Sequence, residues 1–287
     1  MSEMKYPIES LSVTQILDVG IRVARDNFSS LLVVTFFMAI PYSLVQQTVH
    51  FYAYENSMVD TRGESNVTNT PQLPPVSQEQ QSLRNLDTLV SWFGHFVVTP
   101  LTSSALIFLS SSYFLGKPST PFQALSILRY GWMSLVGAGI LYTLIMGVGI
   151  ALLIIPGIYW GFLYCLYQPL ILFEDRTATD YFKRSSFLMN GNKITAAIIS
   201  LAILVPIILI SLAINKIPSP PLKIALRLVL NAGSSVVGSS IFMVFYYSCR
   251  CRNEHFDLAF LAKQSASESS PSNLAGESPQ PSEIKDA

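Results

Sequence analysis

The chain has 287 residues, 50% of them hydrophobic and only 13% charged, with 18 basic side chains balancing 18 acidic ones. A soluble domain carries about 25% charged residues, so this composition excludes disorder and a disulfide miniprotein and argues against a water-soluble enzyme. Zero net charge and a pI near 6.8 leave no electrostatic footprint for nucleic acid as a partner.

Residues 1–26 hold Lys5, Glu9, Asp18, Arg22, Arg25 and Asp26 and no apolar stretch of the signal-peptide type, so they read as a retained cytoplasmic segment. Ser12-Val13-Thr14-Gln15 resembles a capping box and opens a helix with Ile16, Leu17, Ile21 and Val23 set against Asp18, Arg22 and Arg25. Five charge-free runs follow: Asn27–Tyr54, Thr88–Gly116, Gly131–Phe173, Ile194–Asn215 and Leu228–Cys249. A hydrocarbon core of about 30 Å takes about 20 helical residues. Four runs fit one span each, and the 43-residue run fits two, broken at Ile155-Pro156-Gly157 with Tyr159 and Trp160 at an interface.

The expectation is therefore an all-α integral membrane bundle of six transmembrane helices over 27–262, with cytoplasmic interfacial amphipathic helices. The predicted spans lie near 30–52, 88–115, 132–155, 157–173, 194–214 and 222–249. The Thr88–Gly116 run also reads as two short re-entrant helices broken at Pro100. The stretch 55–87 reads as a polar outer loop carrying the sequon Asn66-Val67-Thr68, and 263–287 as a disordered cytoplasmic tail.

Two further segments look like the first interfacial helix. Thr120-Pro121 supplies an N-cap and a first-position proline before Phe122, Leu125 and Leu128. Thr177-Ala178-Thr179-Asp180 opens a third segment, with Tyr181, Ser185 and Leu188 on one face and Gly191 as its C-cap. Each is expected in the cytoplasmic interface, its apolar face toward acyl chains. Arg25-Asp26-Asn27-Phe28-Ser29-Ser30-Leu31 and Arg129-Tyr130-Gly131-Trp132-Met133-Ser134-Leu135 share the pattern Arg-x-x-aromatic-x-Ser-Leu. They point to a repeated unit of interfacial helix plus two spans, or to two helices entering a membrane from the same basic side. With the N-terminus inside, 13 of the 18 basic residues fall on cytoplasmic segments, which predicts a cell membrane protein with both termini cytoplasmic.

Four landmarks carry a family resemblance. They are Ile16-Leu17-Asp18 with Asn27-Phe28; Ile155-Pro156-Gly157-Ile158-Tyr159; Glu174 with Arg184-Ser185, Leu188 and Gly191; and Tyr246-Tyr247 with Arg250, Arg252, Glu254, Asp257 and Leu258. Over roughly 11–262 the chain resembles the membrane domain attached to some glycerophosphodiester phosphodiesterases, and similar stand-alone polytopic bacterial inner-membrane proteins. A hydrolase barrel would need on the order of 250 further residues, so the resemblance implies a fold and a location and passes on no catalytic residue.

Chemistry in the residues is sparse. Cys249-Arg250-Cys251 with His255 lacks the spacing and the four ligands of a structural zinc site, so neither a metal nor a cofactor is expected. His50 and His95 fall in the outer halves of the first two spans and form a possible intramembrane polar pair, or bond singly to neighbours such as Gln46. Asp18, Arg22, Arg25, Glu174, Arg176, Lys183, Arg184, Arg250, Arg252, Glu254 and Asp257 gather on the cytoplasmic side, as a site for a phosphorylated lipid headgroup or as a structural ionic belt. No nucleophile–base arrangement or phosphate loop is present, so the reading is non-enzymatic. Three functions stay open: lipid association or envelope organisation, with membrane lipids, other membrane proteins or a second copy as partners; transport through a polar site between kinked helices; and an accessory role in glycerophospholipid turnover.

Overall fold

The computed structural model describes residues 6–55, 78–174 and 178–258, and all regular structure among them is helical. Helix α1 (Val13–Asp26) starts where the Gln15 side-chain carbonyl accepts the Ser12 amide at 2.9 Å. Most of its apolar face is covered by protein: Ile16, Val19, Val23 and Ala24 are buried, while Ile21, expected on that face, is exposed along with Asp18, Arg22 and Arg25. The cause is Gly20. A Cβ at that position would stand 2.6 Å from the Ile241 Cα of α10 (Pro220–Glu254), so the two backbones meet at a distance only glycine tolerates.

Helix α2 (Phe28–His50) runs on into a π-helical turn over Phe51–Glu55. The second span is α3 (Gln78–Phe93), a π-helical turn (Gly94–Val98) and α4 (Thr99–Phe114) in unbroken succession. One expectation changes here, and the single-span reading holds over its re-entrant alternative. Residues 78–87 are helical rather than part of an outer loop, because their polar side chains (Gln, Glu, Arg) are also strong helix formers. Pro100 does not split the span into re-entrant halves. Lacking an N–H, it leaves the Phe96 carbonyl without its usual donor, and the helix adapts one turn earlier, where the Thr99 amide donates to Gly94. The Asn66 sequon, Arg176 and the tail 263–287 lie outside the described residues.

Helix α5 (Pro121–Leu152) is one 32-residue helix, so the second expected interfacial segment is continuous with the third span. Its start is held reciprocally: Thr120 N–H donates to Gln123 Oε1 at 2.9 Å and Gln123 N–H to Thr120 Oγ1 at 3.3 Å. The chain reverses on the single extended residue Leu153, and Pro156 sits in the first turn of α6 (Ile154–Tyr164). Gly149 and Gly157 make so tight a reversal possible, since a Cβ on Gly149 would lie 2.7 Å from the Gly157 Cα. Helix α7 (Tyr167–Phe173) completes the fourth span. Helix α8 (Ala178–Leu188) buries Tyr181, Ser185 and Leu188 and is followed by Gly191 at φ +79°, as its sequence signals require. Helices α9 (Lys193–Asn215) and α10 finish the bundle.

Six of these segments are long and apolar enough to cross a membrane, which makes the chain an all-α, multi-span membrane bundle. Leu201, Leu204, Leu209 and Leu212 of α9 point outward, as lipid-facing side chains do. The core lies around α4 and α10. At one end, Ile16, Val23, Ile107, Leu170, Leu188 and Tyr246 pack together; next to them, Leu31, Val34, Leu106, Leu109, Leu135 and Val236 form a second cluster. Between α4 and α10, Ser110 and Ser240 hydroxyls meet at 3.0 Å and Ser111 meets the Tyr247 hydroxyl at 2.7 Å. Small hydroxylated residues allow close helix approach and satisfy one another away from water.

Candidate functional site

Two polar assemblies stand out, at different levels of the bundle. The first is the ionic group at the end where α1, α8 and the C-terminus of α10 meet. Arg184 of α8 donates from Nε to Glu174 Oε2 at 2.9 Å and also pairs with Glu254 of α10. Glu254 takes a second partner, Arg250, at 3.2 Å, and the Tyr246 hydroxyl reaches Glu174 Oε1 at 3.4 Å. Burial pulls the Arg184 guanidinium down, but the hydrogen bonds and charges of Glu174 and Glu254 outweigh it and hold the group above its ordinary value. Arg252 ties three segments together, donating to Asn192 Oδ1 at 2.7 Å and to the Leu11 carbonyl at 2.8 Å.

Of the charged residues singled out in the sequence, Glu174, Arg184, Arg250 and Glu254 are thus joined in one lock, while Arg252 bonds to the uncharged Asn192 and Leu11 groups beside it. Asp18 pairs with Arg22 one turn along α1, and Arg25 pairs with Asp26, both on the outer face and apart from that lock. Lys183 is exposed. Asp257 keeps a buried Oδ1 with no hydrogen-bond partner among the described residues. Cys249 and Cys251 are buried, His255 caps α10 in the left-handed conformation, and no metal-ligating cluster occurs among the described residues.

The second assembly is a cavity of about 630 Å³ inside the spans. Helix α2 contributes Tyr42, Ser43 and Gln46; α3 and the π turn contribute Ser91 and His95. Thr99, Thr102 and Ser103 come from α4, and Asn231, Ser234, Ser235, Gly238 and Ser239 from α10. None of the lining residues is Asp, Glu, Lys or Arg. On α2, Ser43 is 15 residues from Phe28, a rise of about 22 Å. The cavity therefore occupies the half of the bundle away from the ionic lock.

Local structure explains why this space is open. Gly238 has nothing within 4 Å of where a Cβ would stand, so it leaves room rather than packing against a neighbour. The π turn carries His95 to the wall, and at Gly94 a Cβ would collide with the Tyr42 hydroxyl, so only glycine lets Tyr42 reach the turn. Ser234 and Ser235 spend their hydroxyl protons on the Asn231 carbonyl at 3.1 and 2.7 Å, and Ser103 spends its own on the Thr99 carbonyl at 2.8 Å. The Ser234 and Ser235 hydroxyls therefore offer acceptor lone pairs to the cavity, Ser103 Oγ already accepts from Gln168 Nε2 at 2.9 Å, and Gln46, Asn231 and His95 carry donor groups. Thr102 Oγ1 is buried on this wall with no partner among the described residues, although a buried polar atom is costly when unpaired.

The expected His50–His95 pair is replaced by another arrangement. His50 Nδ1 lies 3.6 Å from Asp87 Oδ2 of α3, and His95 sits eight residues further along the same span, about 12 Å away. Asp87 escapes a reading that assigns 55–87 to a loop. The signal is nonetheless present as a polar stripe at four-residue spacing, Asp87-Ser91-His95-Thr99, facing His50-Gln46-Tyr42 on α2. No protein-family model, curated protein or solved structure matches the chain.

Proposed function

We propose that the protein carries small uncharged polar solutes across a cell membrane, binding them in the cavity among α2, α3, α4 and α10. The observation that supports this reading is a space of about 630 Å³ inside membrane spans, whose largely apolar wall, with Ala39 and Val98, carries hydroxyl, amide, imidazole and phenol groups. Polar groups in a bilayer are expensive and concentrate along solute pathways, and the volume lies within the roughly 300–1,000 Å³ of small-molecule sites. A wall without formal charge discriminates against ions, which would enter without a counter-charge. The π turn beside Pro100 and the in-span Pro41 and Pro206 each free a backbone carbonyl from its usual helical donor while the helices stay continuous.

The excess of basic residues on the segments around the ionic lock supports a cytoplasmic position for that end in this reading, and with it an outer position for the cavity. The lock's charges are engaged with one another, which favours its role as a frame over headgroup capture. Stopped-flow swelling of proteoliposomes in glycerol, urea and sorbitol tests the reading. At least one solute enters faster than into protein-free vesicles if it is right, while sodium chloride entry is unchanged. Equal rates for all three solutes with and without protein would overturn it.

A further inference from the structure

The face of α10 turned away from the polar cavity borders a second space, of about 610 Å³, which the transport reading does not use. Gly233 and Ser235 stand two residues apart, about 200° around the helix, and face the groove and the cavity respectively, with Ser234 at the seam. The groove follows α9 from Ala202 to Ile214 and α10 from Ile241 to Leu226, and Leu17 of α1 closes the end nearer the ionic lock. Among the described lining residues, Ser234 alone has a polar side chain. The space is open because Gly233 has nothing within 4 Å of where a Cβ would stand. Ile21, Ile210 and Val229 on its walls are exposed, so it faces the hydrocarbon around the bundle.

The dimensions decide what fits. From Leu226 to Ile241 the helix rises about 22 Å, so the mean cross-section is about 28 Å², a slot about 6 Å wide. An α-helix needs about 10–12 Å, which leaves out a helix of a second copy. A polymethylene chain, whose carbons approach their neighbours at about 4 Å, does fit. One leaflet of a roughly 30 Å core is about 15 Å deep, so the groove is long enough for a whole acyl chain.

The end of the groove away from the lock carries positive charge. Arg227 follows Leu226 and bridges the walls, donating to Oδ1 of Asn215, the last residue of α9, at 2.7 Å. Its other bond runs to Gln47 Oε1 of α2 at 3.2 Å. Both acceptors are uncharged, and no carboxylate pairs with Arg227 among the described residues. Lys216, directly after Asn215, is exposed. From Tyr181 to Asn253 the sequence holds no Asp or Glu, so α9 and α10 offer these cations no counter-charge at that end. They stand level with the end of the α9 apolar run, at the depth of lipid phosphates, and a guanidinium fork matches phosphate geometry.

The geometry points to a binding site for an anionic phospholipid, one acyl chain in the α9–α10 groove and the phosphate on Arg227 beside Lys216. The chain exchanges one hydrocarbon for another, so the groove contributes shape and packing rather than a hydrophobic gain. Discrimination between lipids rests on the cations, each supplying about a fivefold preference for a negative headgroup.

Native mass spectrometry of the full chain, released from nanodiscs of equimolar phosphatidylglycerol and phosphatidylcholine, reads the occupancy. Wild type is expected to keep phosphatidylglycerol in about fivefold excess or more. Arg227→Gln should lower that preference about fivefold. Gly233→Leu fills the groove while keeping both cations, and should lose either lipid. Gly238→Phe, on the cavity face, should retain the lipid, so the lipid site stands or falls apart from solute transport. In wild type, phosphatidylglycerol with a diazirine on its acyl chain should crosslink to both α9 and α10. Excess glycerol 3-phosphate should leave the bound lipid in place, since a headgroup alone lacks the groove. Equal retention of the two lipids by wild type, crosslinks confined to other helices, or displacement by glycerol 3-phosphate would overturn the assignment. So would unchanged retention in Gly233→Leu, or a lipid-free dimer. Circular dichroism and size-exclusion profiles matching wild type qualify each variant for comparison.

Discussion

Removing the guanidinium of Arg184 tests whether the charged end of the bundle is a structural lock. Arg184→Ala takes away the cation shared by Glu174 and Glu254 and leaves two carboxylates that are 91% and 80% shielded from solvent. Breaking a buried ion pair by deleting one partner costs about 3–5 kcal/mol, because the remaining charge is left uncompensated. The 16–20% exposure of Arg184 and Glu254 lets some water reach the site and places the expected loss near the lower bound, about 3 kcal/mol. Against a typical total of about 5–15 kcal/mol, that is a large share of the stability. Unfolding of the nanodisc-reconstituted protein, followed by tryptophan fluorescence against denaturant, measures it. The same logic requires rescue: Arg184→Met combined with Glu174→Gln is expected within about 1 kcal/mol of wild type, since Glu254 keeps Arg250 as its partner and no orphaned charge remains. A loss below about 0.5 kcal/mol for Arg184→Ala, the size of an ordinary surface change, would refute the lock.

Other outcomes follow from the same geometry. Because Arg184 is held above its ordinary value, its stabilisation is fully present below the unfolded-state value and lost only as pH rises through the higher folded-state one. Arg184→Lys moves that loss down toward about pH 10–11, so denaturant midpoints of the two proteins should diverge on the alkaline side. Gly20→Val forces the α1 backbone off Ile241 and is expected to cost about 1–3 kcal/mol, with faster proteolytic release of the N-terminal segment. Gly157→Val should be at least as damaging, since its Cβ would meet the Ile150 backbone nitrogen at 2.4 Å, and it is read by the same unfolding assay. Ser57→Cys should be labelled by an impermeant thiol reagent from outside intact cells, and labelling from the inside alone would reverse the orientation.

Much of the fold was legible because a membrane imposes one rule, the absence of charge over about 20 residues, and the chain follows it in five runs. Boundaries were lost where a second interaction competed with that rule. Gln78–Asp87 is polar enough to look like a loop, yet its helix propensity and the burial of Asp87 against α2 keep it helical. The segment at Thr120–Leu128 shows amphipathic spacing, but with no breaker between it and Gly131 it simply extends the next span. For α1, spacing marked Ile16 and Val23 on the buried face but put Ile21 there too, which is exposed, and could not say what covers that face; the close approach at Gly20 decides for α10.

The polar sites divided in the same way. Opposite charges on α8 and α10 were recognisable as a group, since such residues near helix ends have few alternatives to each other. The cavity was not legible. Its hydroxyl and amide residues come from four elements, each reads alone as ordinary helix packing, and only the open space at Gly238 separates lining from packing.

Gly238 also provides the most direct test of the central claim. A phenylalanine there grows from a position with nothing within 4 Å into the cavity, narrowing it beside Ser234, Ser235 and Ser239. Swelling rates of proteoliposomes holding equal amounts of folded wild type and Gly238→Phe should differ. The account expects accelerated entry of at least one of glycerol, urea and sorbitol with wild type, falling to the protein-free rate in the variant. Accelerated entry that survives Gly238→Phe would contradict passage through this cavity.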